Sequence, residues 1–253
     1  MQHEAKRARE VACAGRRIIG GASHESARAA RKIHGMKNIV CLISGRGSNL
    51  QALLDTAAAE RWSTTLPARV AGGVSNRADA AGLQVAVAHG VPTQVVEHQQ
   101  YASREAFEAA LLHAIDQWRP DLVVLAGFMR VLTTGFVDHY AGRMINVHPS
   151  LLPAFPGLAT HRQALAAGVR VHGATVHFVS HEVDGGAIIG QVAVPVVPND
   201  TEEALAARVL REEHRLLPRC VRLVLQERVS LRQGRLTLHD VDGADLACFA
   251  PLR

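Results

Sequence analysis

The chain has few aromatic residues and no long hydrophobic run. Aromatic side chains make up 4 % of its 253 residues, while hydrophobic residues of all kinds make up 48 %, which predicts an aliphatic core of ordinary size. The sequence contains no run of about 18 apolar residues, the length that a transmembrane helix needs. A secretory signal peptide is not indicated either, because the apolar stretch 11–15 is short and two arginines follow it. We therefore expect no membrane partner.

Cysteine is also scarce, and its spacing fits neither a metal site nor a disulfide framework. The sequence has no Cys-x-x-Cys pair, no His-Glu-x-x-His zinc motif and no Gly-x-Ser-x-Gly turn of the serine hydrolases. We expect free thiols in a reducing cytoplasm, and no bound metal. The cysteines are Cys13, Cys41, Cys220 and Cys248.

Basic charge is concentrated at the amino terminus. Residues 1–36 carry eight Lys or Arg and three Glu, so the whole net charge of +5 lies there. The remaining sequence is neutral, and the isoelectric point of 9.4 therefore gives no argument for nucleic-acid binding. We interpret residues 1–36 as a basic, disordered leader, with a transit segment or a true start at Met36 as alternatives. Residues 37–253 are expected to form a single domain.

Beyond Met36, short apolar runs alternate with helical periodicity. Strands are predicted at 38–43, 69–74, 92–96, 122–126 and 144–147. Helices are predicted at 50–60, 78–89, 103–118 and 134–140. This alternation predicts an α/β fold with a Rossmann-like, mostly parallel sheet that helices cover on both faces.

The second half of the chain has a different pattern. The strands predicted at 173–180 and 188–196 are joined by a short loop, which favours an antiparallel addition to the sheet. A long amphipathic helix is predicted at 201–225, and a terminal hairpin at 229–239.

The most informative residues follow the fifth strand. Asn146 and His148 stand two apart, so a strand would place both on one face, and Pro149 would end the ladder beyond them. Asp184 stands in a glycine-rich loop, before Gly185 and Gly186. An amide donor, a titratable imidazole and a carboxylate are the groups that acyl-type transfer needs. The alternative is an ordinary strand end and an ordinary turn.

A second candidate is the loop between the first strand and the first helix. Gly45 and Gly47 permit a tight turn, and the free amides of the helix that follows favour an anion. Ser48 and Asn49 add side-chain donors. The loop is not a P-loop, since no Gly-Lys-Ser/Thr follows, and a single phosphate monoester suits it better than a triphosphate. The alternative is a plain connecting turn.

Other polar residues are weaker candidates. Arg130 follows the fourth strand and is equally compatible with a ligand contact or a solvent-exposed position. The chain contains 14 histidines, so a single histidine is weak evidence of function. A structural role is favoured for His161, His172 and His177.

Several of these segments together resemble the folate-dependent phosphoribosylglycinamide formyltransferases. The segments are GRGSNLQALL, SNRADAAGL, DLVVLAGFMR, INVHPSLLPAFPGLATHRQAL, HGATVHFV and VDGGAIIGQ. The resemblance extends from about Met36 to Leu225. It implies the formyltransferase fold, no metal, and transfer of a formyl group from 10-formyltetrahydrofolate to glycinamide ribonucleotide in de novo purine synthesis, giving formylglycinamide ribonucleotide and tetrahydrofolate.

The resemblance also implies roles for individual residues. Asn146, His148 and Asp184 match the catalytic residues of that family. The ribonucleotide site is matched by Gly47, Ser48, Asn49 and Glu213, and the folate site by Arg104, Met129, Arg130, Val131, Leu132, Asn146 and Val183. The domain then divides into a nucleotide-binding half (37–145), a folate and catalytic half (146–227) and a C-terminal hairpin and tail (228–253).

The implied partners are small-molecule substrates, with a monomer or a homodimer as the assembly. A formyltetrahydrofolate deformylase and a non-catalytic nucleotide-binding module remain as alternatives. A methionyl-tRNA formyltransferase is disfavoured because little sequence follows Asp184. The leader, and Ala159 where some relatives carry His, depart from the family pattern.

Overall fold

The structure, a computed structural model, describes residues 35–249. Its strands are β1 (Lys37–Ile43), β2 (Ala68–Ser75), β3 (Thr93–Val95), β4 (Leu122–Leu125), β5 (Met144–His148), β6 (Val171–Phe178), β7 (Ile188–Pro195), β8 (Val229–Arg232), β9 (Arg235–Leu238) and β10 (Ala247–Phe249). Its helices are α1 (Ser48–Ala59), α2 (Trp62–Thr65), α3 (Gly82–Ala88), α4 (Arg104–Asp116), α5 (Thr134–His139), α6 (Thr160–Ala166), α7 (Glu202–Leu225) and α8 (Gly243–Leu246), with a 3₁₀ turn at His98–Gln100.

One eight-stranded sheet organises these elements, in the order β10-β7-β6-β5-β4-β1-β2-β3. The first five strands pair in parallel, whereas β6 runs antiparallel to both β5 and β7. Strands β8 and β9 form a separate hairpin. The predicted fold class is therefore confirmed: a mostly parallel sheet with helices and an antiparallel addition in the second half of the chain.

The order of the strands reverses between β1 and β4. Strands β2 and β3 extend the sheet on one side of β1, and β4 and β5 extend it on the other. Parallel sheets bind ligands beyond the carboxyl ends of their strands at such a reversal. The backbone N–H of Ser44 donates to the carbonyl of Gly127 (3.1 Å), and the Ser44 hydroxyl accepts from the N–H of Met129 (2.9 Å). The loops after β1 and β4 are thus joined at this edge.

Several helices differ in their bounds from the sequence prediction. Helix α1 begins at Ser48 rather than Leu50, because Gly47 adopts a left-handed conformation (φ 76°) that starts the helix directly after the loop. Helix α3 begins at Gly82 rather than residue 78. Helix α4 begins after Ser103 as predicted, and the Ser103 hydroxyl accepts from the N–H of Ala106 (3.1 Å).

Helix α7 covers one face of the sheet with 24 residues, and the Thr201 hydroxyl caps its start. Its buried side is mainly aliphatic, which also brings Glu213 into the interior. All these elements belong to the unit Met36–Arg253. Within residues 35–249, no helix is both long and apolar enough to span a bilayer. The predicted disordered leader (1–36) lies outside the described residues apart from 35 and 36, so it stays a prediction, as do the boundaries drawn within 37–253.

Candidate active site

The site is built on the carboxyl end of β5. Asn146 and His148 stand two residues apart on that strand and therefore share one face. In the antiparallel ladder with β6, Asn146 is paired with His177 and His148 with Thr175. Because β5 is hydrogen-bonded to neighbours on both sides, its backbone holds both side chains on a rigid support.

Asp184 reaches His148 from the loop between β6 and β7. Its Oδ2 lies 3.4 Å from Nδ1 of His148, and the two side chains are 10 % and 7 % exposed. The backbone of Asp184 is left-handed (φ 55°), which turns the carboxylate toward the strand end. The N–H of Gly157 donates to the same Oδ2 (2.8 Å). The structure thus brings two of the predicted catalytic residues, His148 and Asp184, together in a nearly buried pair, and Asn146 shares the strand face of His148.

Both ring nitrogens of His148 face oxygen atoms. Nε2 lies 3.0 Å from the carbonyl oxygen of Phe155, and Nδ1 faces Asp184. A carbonyl oxygen only accepts hydrogen bonds, so Nε2 carries a proton in this arrangement. An imidazolium would satisfy both oxygens at once. The carbonyl of Phe155 and the carboxylate of Asp184 thus fix the orientation of the His148 ring.

A second histidine belongs to this cluster. Nε2 of His177 lies 3.2 Å from Nδ2 of Asn146 and 3.7 Å from Oδ1 of Asp184, and its Nδ1 lies 2.9 Å from the carbonyl oxygen of Phe178. Burial lowers the pKa of His177 and thereby favours the neutral ring. The sequence favours a structural role for this residue. The signal that points to the site is the antiparallel pairing of β6 with β5, which sets His177 opposite Asn146.

The glycine-rich loop after β1 is tightly packed. A Cβ atom at Gly47 would lie 2.3 Å from Cα of Gly82, and the N–H of Gly82 donates to the carbonyl of Gly45 (3.0 Å). The start of α1 has no side-chain cap within the described chain. Its first amides are therefore available to an external anion, and Ser48 is only partly buried beside them.

Asn49, the second residue of α1, joins the start of this helix to α7. Its Nδ2 donates to Oε2 of Glu213 (2.7 Å), while its buried Oδ1 has no hydrogen-bond partner among the described residues. Burial raises the pKa of Glu213, although the Asn49 hydrogen bond and the charges of His148 and Arg46 partly oppose this effect. An unsatisfied acceptor and a buried carboxyl group beside an uncapped helix start indicate a site for a polar ligand.

The residues matched to the folate site are mostly exposed. Met129, Val131 and Val183 are 68 %, 55 % and 53 % exposed, which is unusual for large apolar side chains. Arg130 is exposed and Leu132 half-buried in the same loop after β4. Arg104 is exposed at the start of α4, and the contacts of the described residues do not join it to the Asn146 cluster.

No group of three or more His, Cys, Asp or Glu side chains able to hold a metal ion occurs within the described part of the chain. His161 and His172 pack edge to face with their ring centres 5.3 Å apart, an arrangement in keeping with a structural role.

Comparisons with known proteins identify the family to which the chain belongs. A family model described as formyl transferase matches residues 37–221. The chain is 48 % identical over 203 residues to the phosphoribosylglycinamide formyltransferase of Escherichia coli strain K12, covering 80 % of this chain and 91 % of that protein. It is 45 % identical over 196 residues to the human trifunctional purine biosynthetic protein adenosine-3, covering 78 % of this chain but only 19 % of that protein. The crystal structure of glycinamide ribonucleotide transformylase 1 from Symbiobacterium toebii superposes with a TM-score of 0.77 at 46 % identity, covering 82 % of this chain and 95 % of that one.

Proposed function

Because the chain belongs to the formyl transferase family, we propose that it transfers the formyl group of 10-formyltetrahydrofolate to the amine of glycinamide ribonucleotide. The products are formylglycinamide ribonucleotide and tetrahydrofolate, and the reaction is a step of purine biosynthesis. The observation that carries the proposal is the cluster of Asn146, His148 and Asp184 beside the loop at Gly47, in which His148 and Asp184 approach to 3.4 Å.

The ribonucleotide binds at the start of α1. The free amides after Gly47 and the hydroxyl of Ser48 receive the phosphate, since a helix start favours a doubly charged anion. Asn49 and Glu213 meet the remainder of the molecule, where the unpartnered Oδ1 of Asn49 accepts a hydrogen bond. This arrangement directs the substrate amine toward the end of β5, because the loops after β1 and β4 are joined at that edge.

The formyl donor occupies the rim formed by the loop after β4 and the loop before β7. Exposed Met129, Val131 and Val183 offer apolar contacts to a flat ring system. Arg104, Arg130 and Leu132 complete the folate site in this proposal, with the two arginines suited to the negative charge of a folate. The formyl carbon then lies over Asn146 and His148.

Transfer begins when the neutral amine attacks the formyl carbon. A C–N bond forms, the carbonyl oxygen gains negative charge, and the new nitrogen gains positive charge. The amide N–H of Asn146 donates to this oxyanion, a contribution worth about 3–4 kcal/mol for one well-placed donor. The intermediate collapses when the folate nitrogen gains a proton from His148 and its bond to the formyl carbon breaks. The neutral imidazole of His148 then takes up the proton that the attacking nitrogen loses.

His148 supplies the proton for the leaving folate nitrogen from Nδ1, because its Nε2 is bound to the carbonyl of Phe155. Asp184 faces Nδ1 at 3.4 Å, so its negative charge stabilises the imidazolium that holds this proton. The carbonyl of Phe155 fixes the opposite side of the ring. Positioned proton transfer of this kind contributes roughly 100- to 10,000-fold in rate.

The cellular location and the assembly of the enzyme are part of the same proposal. Cys41 and Cys220 are buried free thiols, which suits a reducing cytoplasm. The functional unit is a monomer or a homodimer that acts on small molecules.

A single assay tests the function and separates it from the alternatives. Purified protein is mixed with glycinamide ribonucleotide and 10-formyltetrahydrofolate, and the release of tetrahydrofolate is followed. We expect release only when the ribonucleotide is present, with formylglycinamide ribonucleotide in equal amount. Release without the ribonucleotide would identify a deformylase. Ribonucleotide binding without any release would identify a non-catalytic module, and either result would refute the transferase.

A further inference from the structure

The geometry points to His177 as a positioning residue for the proposed transfer, in which its ring determines which side of the Asn146 amide faces the substrate. The inference rests on the proposed function and deepens it. The relevant atoms are Nε2 of His177 and Nδ2 of Asn146, which lie 3.2 Å apart across the β5–β6 ladder. His177 is 2 % exposed, so water does not compete for this contact.

The tautomer of His177 is fixed from its other side. Nδ1 lies 2.9 Å from the carbonyl oxygen of Phe178, and a carbonyl oxygen only accepts hydrogen bonds, so Nδ1 carries the proton. In the neutral ring, Nε2 is then an acceptor. Neutrality follows from the apolar burial of the strand, which opposes a charged imidazole.

An accepting Nε2 permits only one orientation of the Asn146 amide. If the carbonyl oxygen of the amide faced His177, two acceptors would meet in a buried site, an arrangement that costs free energy. With Nδ2 facing the ring, one amide hydrogen binds His177 and the second remains for the formyl oxygen. The described residues give the Asn146 amide no other hydrogen bond. His177 is therefore the group that keeps the amide turned as an oxyanion donor.

The groups around His177 are consistent with this role. Oδ1 of Asp184 lies 3.7 Å from Nε2, too far for a hydrogen bond, and Oδ2 of Asp184 is engaged by Gly157. His148 is the other titratable group that acts on the ring electrostatically. The loop after Asp184 closes over the strand, since a Cβ at Gly186 would lie 1.7 Å from the carbonyl oxygen of Phe178. Nε2 of His177, the Asn146 amide and the Asp184 carboxylate are thus held in fixed positions relative to one another.

Two substitutions separate positioning from simple packing. His177→Leu keeps most of the side-chain volume but removes the acceptor, whereas His177→Gln can present an amide oxygen to Asn146. We expect His177→Leu to lower kcat by on the order of 10²-fold, as misplacement of a reacting group does. The KM values of both substrates should change little, and His177→Gln should recover most of the lost turnover.

A double-mutant cycle tests the route through Asn146. If His177 acts by orienting Asn146, then Asn146→Ala should lower kcat much less in the His177→Leu enzyme than in the native enzyme, because neighbouring groups that act together are not additive. Ser48→Ala provides the control partner, since Ser48 lies at the start of α1 and its effect on kcat/KM for the ribonucleotide should add to that of His177→Leu.

The outcomes distinguish the two proposals. Full kcat in an active His177→Leu enzyme, or additive effects of His177→Leu and Asn146→Ala, would overturn the positioning role and leave formyl transfer intact. If His177→Leu does not fold, His177→Gln takes its place in the test. A folded His177→Gln enzyme with a kcat as low as that of Asn146→Ala would overturn the positioning role. A native enzyme that does not transfer the formyl group would refute the proposed function and this inference with it.

Discussion

The side chains of Asn49 and Glu213 meet at 2.7 Å although 164 residues separate them along the chain. This contact joins the start of α1 to the long helix α7. It places a carboxyl group in the interior with one hydrogen-bond donor among the described residues. Burial raises the pKa of Glu213 above its ordinary value of 4.5. The site therefore contains a group that suits a ligand better than it suits the stability of the fold.

Replacing this carboxyl group should stabilise the protein. A raised folded-state pKa means that ionised Glu213 destabilises the folded protein. This destabilisation is absent below about pH 4.5 and increases as the pH rises through the folded-state pKa. Glu213→Gln keeps an acceptor for Asn49 but cannot ionise. We expect a higher Tm at pH 7, by about 2–4 °C for each kcal/mol gained, together with weaker ribonucleotide binding. Thermal unfolding from pH 4 to 8 checks this, and a gain in Tm that is equally large at pH 4 would contradict it.

Loss of the amide at Asn146 should affect turnover rather than binding. We expect Asn146→Ala to lower kcat by about 10²- to 10³-fold, the usual effect of removing one oxyanion donor. KM for both substrates should remain within a few fold, because the donor acts on charge that appears only in the transition state. Steady-state kinetics with each substrate varied in turn give both numbers. A variant with raised KM and unchanged kcat would remove Asn146 from the proposed role.

The charge of Asp184 can be removed while its contacts are kept. In Asp184→Asn the new amide oxygen can still accept from the N–H of Gly157, so the loop should retain its position. Without the carboxylate, the His148 imidazolium loses its counter-charge, and we expect kcat to fall by at least about 100-fold. Asp138→Asn is the matched control, since Asp138 forms an exposed pair with His181 at 2.7 Å, and exposed pairs contribute little. Similar kcat values for the two variants would count against the proposed role of Asp184.

Ser48 should contribute to ribonucleotide affinity. Removing a hydrogen bond to a charged phosphate costs about 1.5–3 kcal/mol, so Ser48→Ala should raise the Kd for glycinamide ribonucleotide roughly 10- to 100-fold. The affinity for the folate substrate should not change. Titration calorimetry measures both, with the exposed Ser63→Ala as the control. Unchanged ribonucleotide affinity in Ser48→Ala would place the phosphate elsewhere.

Replacement by alanine should have different effects at two nearby glycines. At Gly47 a methyl group meets the Cα of Gly82 at 2.3 Å and the backbone is left-handed, while at Gly45 no atom lies within 4 Å of the added carbon. We expect Gly47→Ala to destabilise the protein by at least about 1 kcal/mol and to weaken ribonucleotide binding, and Gly45→Ala to do neither. Urea unfolding and calorimetry on both variants decide this. Equal stability of the two would show that the packing of Gly47 against Gly82 is not essential.

Much of the fold was predictable because the apolar runs are local signals. The strands β1 to β7 follow directly from such runs, and their alternation with helices fixes the parallel part of the sheet. The C-terminal elements α8 and β10 were not predictable in the same way. Strand β10 has only three residues and exists because its backbone pairs with β7. That pairing is a tertiary interaction, which no periodicity within Ala247–Phe249 reveals.

The candidate site was predictable where it depends on side-chain identity. Asn146, His148 and Asp184 were identifiable by residue type and position, and the glycine-rich loop by its composition. His177 was not, because the chain has 14 histidines and its place beside Asn146 arises only from the ladder that sets the two residues opposite each other. The exposure of Met129 also required the structure, since sequence alone favours burial for methionine.

The segment between β5 and α6 contacts the side chains of His148 and Asp184 through peptide groups. The carbonyl of Phe155 binds His148, and the N–H of Gly157 binds Asp184. Every residue type has a carbonyl, and every type except proline has an N–H, so the identity of the Phe155 side chain is irrelevant to these two contacts. Evolution can therefore vary the side chains of this segment to suit other demands while both bonds persist, provided that the left-handed backbone at Phe155 and Gly157 is kept.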